Sequence, residues 1–331
     1  MASEPQSNQQ TLLQLIKKGN KSSAIAMIGN AILACIKAVA ASVSGSGAMF
    51  ASAMHSFADA INQGFVFVGS VLAEKNPTPR FPAGFGRVIN IFCMIAVIVV
   101  TIMAYETFHE GWHLIQHPAT SSGSLWLNVI VLLINLIIDG AILVKATKEI
   151  LHESRVEAKG MQIFSAAFKN VKRAAPPTRL VFYEDLVAVT GALLTLIAVL
   201  VISITAFHML DGIVTILIGF LMVAVAFRVG YDNMIGLIGV AAPKEIEDRV
   251  AAIILAESFV TDIYQMRILQ EGRYYHVEGL IELKPGLTLA DADDIKFIVR
   301  DKILQDPDIS DVTLGILEDE GIENWKVASR K

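Results

Sequence analysis

A chain of 331 residues that is 54% hydrophobic, with a mean hydropathy of +0.55, is too apolar for an ordinary soluble domain. The excess lies in long blocks of the kind that cross a bilayer. A net charge of -5 points to no nucleic-acid partner, and the two isolated cysteines, Cys35 and Cys93, have neither CxxC nor CxH spacing, which excludes a thiolate zinc site and a disulfide framework.

The chain opens polar and then basic, MASEPQSNQQTLLQLIKKGNK, with no small-residue cleavage site ahead of a short apolar run. No cleaved signal peptide is read there. Residues 1–21 are taken as a cytoplasmic segment, 22–235 as a transmembrane domain and 236–331 as a cytoplasmic C-terminal domain. The spans run from about Ser22 to Val43, Ala48 to Ala73, Val88 to Leu114, Leu125 to Ala146, Leu180 to Ser203 and Asp211 to Tyr231. SGSG at Ser44 to Gly47 reads as a tight turn, NPTPRFP at Asn76 to Pro82 as a helix breaker, and His117-Pro118 with the SSGS that follows as another turn.

Lys and Arg crowd alternate loops. The N-terminal segment has Lys17, Lys18 and Lys21, and the loop after the second span has Lys75, Arg80 and Arg87. The loop after the fourth runs from Lys145 through Lys169, Lys172 and Arg173 to Arg179, whereas 44–47, 115–124 and 204–210 carry no Lys or Arg. The positive-inside rule then puts both termini in the cytoplasm, consistent with an even number of spans.

Beyond Pro243 the sequence turns charged and amphipathic. Ile246, Val250, Ile253 and Ile254 mark one helix face, and Asp262 to Gln270 and Tyr274 to Leu283 read as strands about a turn at Gly272. Thr288-Leu-Ala-Asp291 resembles a capping box opening a helix to Leu304, and Ile309 to Leu317 reads as a last strand. The fold class is therefore an all-α six-helix transmembrane bundle followed by a soluble α+β domain of αββαβ, ferredoxin-like order.

The chemistry is concentrated in polar groups inside the spans. His55 and Asp59 stand one helical turn apart in the second span, and Asn62 continues their face. An Asp at the centre of a span costs roughly 2.5 kcal/mol or more, so such residues face the bundle interior or a water-filled path. A His and Asp pair there points to a metal cation or a proton. Glu184-Asp185 lies near the start of the fifth span, the two carboxylates about 100° apart around the helix. Zinc takes four N, O or S ligands. His55, Asp59 and Asp185 supply three, and the fourth is left among Glu184, Asn62 and a water. An amide oxygen from Asn62 shifts preference toward iron or manganese. Lys37 is expected to snorkel, and Asp139, one turn after Asn135, to pair with a lysine or line a vestibule. His109, His113 and His117 stripe the end of the third span, either as a metal-collecting row or as ordinary interfacial histidines.

Six spans, HxxxD in the second, an acidic site in the fifth and an αββαβ tail resemble the cation diffusion facilitator family. GNAILACIKAVAASVSGSGAMFASAMHSFADAINQG, FPAGFGR and EDLVAVTG carry the likeness, which extends from about Ser22 to Glu318 and is nearest to the branch with HSxAD in the second span and Glu-Asp in the fifth. The resemblance implies a homodimer, paired through both domains, that exports divalent metal by proton antiport and is not an enzyme. Zinc leads as cargo, with Fe2+, Mn2+, Co2+ or Cd2+ as further candidates and no permanently bound cofactor. Val181 stands where zinc-type members carry a second histidine, with Glu184 as its possible replacement. A bacterial inner membrane is expected ahead of an organelle membrane. The alternative function is a metal-binding membrane sensor or scaffold that does not transport. An intramembrane zinc hydrolase is disfavoured by the lack of HExxH.

Overall fold

The computed structural model describes residues 12–44, 47–117, 125–205, 207–272 and 274–325. The turn expected at 44–47 falls largely on residues 45–46, and the one after His117 on 118–124, so both lie outside the described residues, as does the N-terminal segment up to residue 11. The chain divides into two units, Met1–Met234 and Ile235–Lys331.

The first unit is helical: α1 (Leu12–Lys18), α2 (Lys21–Ser44), α3 (Gly47–Ala73), α4 (Val88–Gln116), α5 (Leu125–Glu153), α6 (Gln162–Asn170), α7 (Pro176–Thr205) and α8 (Met209–Ile238), the last running across the division. Among the described residues, six helices are long and apolar enough to cross a membrane, namely α2, α3, α4, α5, α7 and α8. Their outward side chains include Ile28, Ile32, Phe57, Ile98, Ile197 and Phe220, all exposed and apolar, as a lipid-facing surface requires.

Helix α7 begins at Pro176, about one turn before the expected Leu180. Pro176 and Pro177 look like breakers in the sequence, yet proline is well suited to a first helical turn, where its missing N–H loses no bond. The preceding amide, Ala175 N–H, donates to Glu153 Oε2 at 2.7 Å. Glu153 Oε1 accepts from Thr178 Oγ1 at 2.9 Å, and Thr178 Oγ1 accepts from Asn20 Nδ2 at 2.8 Å. Asn20 also ties its own N–H to Ser70 Oγ at 2.8 Å and accepts Ser23 N–H at 2.9 Å. One polar knot thus joins the start of α2, the end of α3, the end of α5 and the start of α7.

The residues after the knot seal α7 on all sides. Val181 and Phe182 are fully buried with Ala26, Ile142, Ala146, Ile150 and Ala167 from α2, α5 and α6. Leu180 packs in a second cluster with Val66, Ile89, Cys93, Ala96 and Val229 from α3, α4 and α8. Three consecutive buried residues on a helix cannot share one face. The helix is therefore wedged between two sets of neighbours. At the far end of α4, Gly111 and Gly212 let α4 and α8 meet backbone to backbone, since a Cβ added to Gly212 would lie 2.7 Å from Gly111 O.

The second unit holds a four-stranded sheet of β1 (Val240–Ala241), β2 (Val260–Glu271), β3 (Tyr274–Leu283) and β4 (Ile309–Glu318), in spatial order β1-β2-β3-β4. Helices α9 (Lys244–Leu255) and α10 (Leu289–Ile303) share its core: Ile246, Val250, Ile254, Ile295, Val299 and Ile303 pack with Ile263, Val277 and Ile281. β2 and β3 are antiparallel across a turn that uses Gly272 at φ +63°, and α10 carries the chain over to a β4 parallel to β3. Thr288 caps α10, its Oγ1 accepting Asp291 N–H at 3.2 Å. The two-residue β1, whose pairing with β2 is long-range, has no signature in the sequence.

The knot makes a quantitative demand. Replacing Thr178, which is fully buried, by Val keeps its shape but leaves Asn20 Nδ2 without that acceptor. The variant should be destabilised by about 1–3 kcal/mol, read as a lower unfolding temperature in detergent, and an unchanged melt would show that the knot contributes little.

Candidate metal site

The seal on α7 ends at Tyr183, and the next two residues are the carboxylates. A cavity of about 470 Å3 opens at this level, and its lining includes Lys37 of α2, His55 and Asp59 of α3, Asp139 of α5, and Glu184 and Asp185 of α7. Starting the helix at Pro176 puts Glu184 more than two turns inside it, too far for its charge to act on the helix N-terminus.

On α3, His55 Nε2 lies 3.8 Å from Asp59 Oδ2, and the side chains are 48% and 34% exposed. Asp185 is 5% exposed, and its Oδ2 is buried with no hydrogen-bond partner. Glu184 is held instead. Asn62 Nδ2 donates to its Oε1 at 3.0 Å, and Gln63 Nε2 donates to its Oε2. Asn62 and Gln63 are each 2% exposed, and their own oxygens, Asn62 Oδ1 and Gln63 Oε1, are buried without a donor. Buried acceptor oxygens left in this state are costly in an apolar setting unless a proton donor or a cation reaches them.

Of the five residues expected to ligate metal, His55, Asp59, Glu184 and Asp185 line the cavity, and Asn62 adjoins it through Glu184. They surround a volume and do not converge on a point: among the described residues, no group of three or more His, Cys, Asp or Glu side chains is close enough to hold an ion. Val181, one turn before Asp185, is fully buried in the apolar cluster, so the position that might have carried a histidine is packing surface.

Two residues have roles that sequence reasoning did not assign. Gln63 points about 100° from Asn62 on the helix, yet its long amide side chain reaches the carboxylate from its own side. Lys37 was expected to snorkel. It is 8% exposed and donates from Nζ to Ser56 Oγ at 2.8 Å, so its charge stays in the bundle on the cavity wall with Asp59 and Asp139. Asp139 accepts from Asn135 Nδ2 at 2.6 Å. An ammonium among carboxylates offsets part of their charge where water is scarce.

Residues 23–238, which hold all of these groups, match the family model of the cation efflux transmembrane domain. The chain belongs to the cation efflux family. It is a multi-pass membrane protein of a family of transporters. Among cation efflux relatives, it is 27% identical over 263 residues to the proton-coupled zinc antiporter SLC30A9, mitochondrial, of Xenopus laevis, covering 79% of this chain and 46% of the frog protein. The human protein of the same name is 26% identical over 249 residues, covering 75% of this chain and 43% of its own length. The putative transporter MamV of Paramagnetospirillum magneticum is 22% identical over 264 residues, covering 78% and 71%. This cation efflux chain thus spans less than half the length of its vertebrate relatives.

The amide clamp predicts a specific defect. In Glu184→Gln, one carboxylate oxygen becomes an NH2, which faces a donor where an acceptor stood. The variant should lose about 1–3 kcal/mol of stability, seen as a lower unfolding temperature in detergent, whereas a melt equal to that of the unaltered protein would mean that the clamp is not maintained in solution.

Proposed function

We propose that this protein exports divalent metal by proton antiport, zinc first among its cargoes, with alternating access around the α3–α7 cavity. The observation that carries the reading is the set of His55, Asp59 and Asp185 on one cavity wall system, with a buried Asp185 oxygen free to accept a cation, inside a cation efflux domain. His55 supplies an imidazole nitrogen, and Asp59 and Asp185 supply carboxylate oxygens. Glu184 and Asn62 complete the shell when the helices close.

Proton coupling follows from the ligands themselves. Imidazole and carboxylate must be deprotonated to bind a metal, so metal and proton compete for the same atoms. A cation entering from the cytoplasm releases protons, and protons entering from the far side release the cation. The side chains stand apart around the cavity, so binding requires α3 and α7 to draw together, and that movement is the conformational step of transport. Zinc is favoured over the harder cations by the imidazole, and the vertebrate relatives bear the name of a zinc antiporter. Manganese or iron gain if the Asn62 oxygen takes part. The Lys and Arg asymmetry of the loops supports cytoplasmic termini, and we place the transporter, paired as a homodimer, in a bacterial inner membrane.

Purified protein in proteoliposomes tests the reading directly. Zinc should accumulate against its gradient when a proton gradient is imposed, and collapse of that gradient should stop it. Asp59→Ala and Asp185→Ala should reduce flux to that of empty vesicles. Normal transport by Asp59→Ala would overturn the site assignment, and metal binding without any flux would favour a sensor over an exporter. A panel of zinc, iron, manganese, cobalt and cadmium in one preparation ranks the cargoes. Lowering the pH on the metal-loading side should weaken zinc binding, because protons then occupy the ligands.

A further inference from the structure

The C-terminal end of α4 carries three exposed histidines, His109, His113 and His117, that the cavity does not use. His117 follows the last helical residue, yet its N–H donates to His113 O at 2.8 Å, so the helical i to i+4 relation continues through it. The two imidazoles therefore share a face, with ring centres 5.2 Å apart and planes inclined by 52°. Two imidazoles bound to one tetrahedral zinc at roughly 2.0–2.1 Å place their ring centres about 5 Å apart. The ring separation in the structure matches that spacing.

The surroundings connect this pair to the cavity. Gly111 and Gly212 bring α8 against α4 one turn below His113 and His117. Glu110 and Asp211 are the chain neighbours of these two glycines, so they flank the close approach. Asp211 also lines the cavity. The contact that brings α8 to the end of α4 thus also borders the cavity.

We propose that His113 and His117 form a second divalent-metal site, a two-imidazole chelate completed by water, at the end of α4. Imidazole selects late first-row cations, zinc, copper, nickel and cobalt, over magnesium, calcium and manganese. Among the described residues no third His, Cys, Asp or Glu closes the site, so the bound ion keeps open positions and exchanges readily. A site of this kind suits a cation that must be passed on. The assignment rests on the histidine geometry and stands whether or not the central cavity transports.

The test is zinc binding to the full-length protein in detergent, by equilibrium dialysis with radioactive zinc at neutral pH. The His113→Gln/His117→Gln double variant should bind one zinc ion fewer per protomer than the unaltered protein, and the same difference should appear in an Asp59→Ala background. His109→Gln should bind as the parent does. Nickel should displace the ion in question and magnesium should not. Copper bound to the Asp59→Ala protein should show two-nitrogen coupling in its electron paramagnetic resonance spectrum, absent from the triple variant. Both side chains are exposed, and an unchanged unfolding temperature checks that the double variant remains folded. Equal zinc stoichiometry and affinity in the parent and the double variant would overturn the proposal, and an equal loss in His109→Gln would overturn the pairing.

Discussion

Everything in the membrane unit depends on keeping two adjacent carboxylates inside a wedge of apolar helices. Glu184 and Asp185 follow directly on a stretch of α7 that is held on both sides. Its first turn is tied by Glu153, Thr178 and Asn20 to three other helices, and Leu180, Val181 and Phe182 fill the space on both sides. The carboxylates emerge where that packing ends and the cavity begins. An isolated ion at this depth would neutralise or draw in water, and the neighbouring side chains handle the two cases differently.

Glu184 is satisfied by protein. Two amides from consecutive residues of α3 point at its two oxygens, which fastens α3 to α7 beside the cavity. Asp185 is left with an oxygen that no protein donor reaches. The two carboxylates, neighbours in the chain, therefore differ in surroundings: one is held by protein donors and the other keeps a buried oxygen without one. Lys37 brings its amino group to the cavity lining, where Nζ donates to Ser56 Oγ. Several carboxylates and one ammonium thus line the cavity, and the ammonium offsets part of their charge.

Much of this was legible in the chain. Long apolar runs located the spans because a helix must cover about 30 Å of hydrocarbon with side chains that do not need water. His55 and Asp59 were recognisable because ionisable groups in such runs are expensive, and their spacing by one turn put them on one face whatever the tertiary structure. The α+β unit was legible from alternation and capping, and Thr288 caps α10 as the pattern implied. The fifth span was expected from Leu180, where the apolar run begins, whereas α7 starts about one turn earlier at Pro176, beside the Ala175 amide that donates to Glu153 of another helix. Gln63 and Lys37 were missed or misdirected for a related reason: a side chain that can reach several neighbours is assigned by whichever helix packs beside it, and periodicity does not specify that.

The sequence by itself determined a six-helix membrane unit followed by an α+β unit, a histidine and an aspartate on one face of α3, and the cation efflux likeness, because hydropathy, helical spacing and motif strings are properties of neighbours along the chain. Only the tertiary structure decided that the α3 pair and the α7 carboxylates would line one cavity. The depth of Glu184, the amides that hold it, the orphaned oxygen of Asp185 and the inward turn of Lys37 all depend on contacts between residues far apart in the chain, and packing between helices, not periodicity within one, sets those contacts.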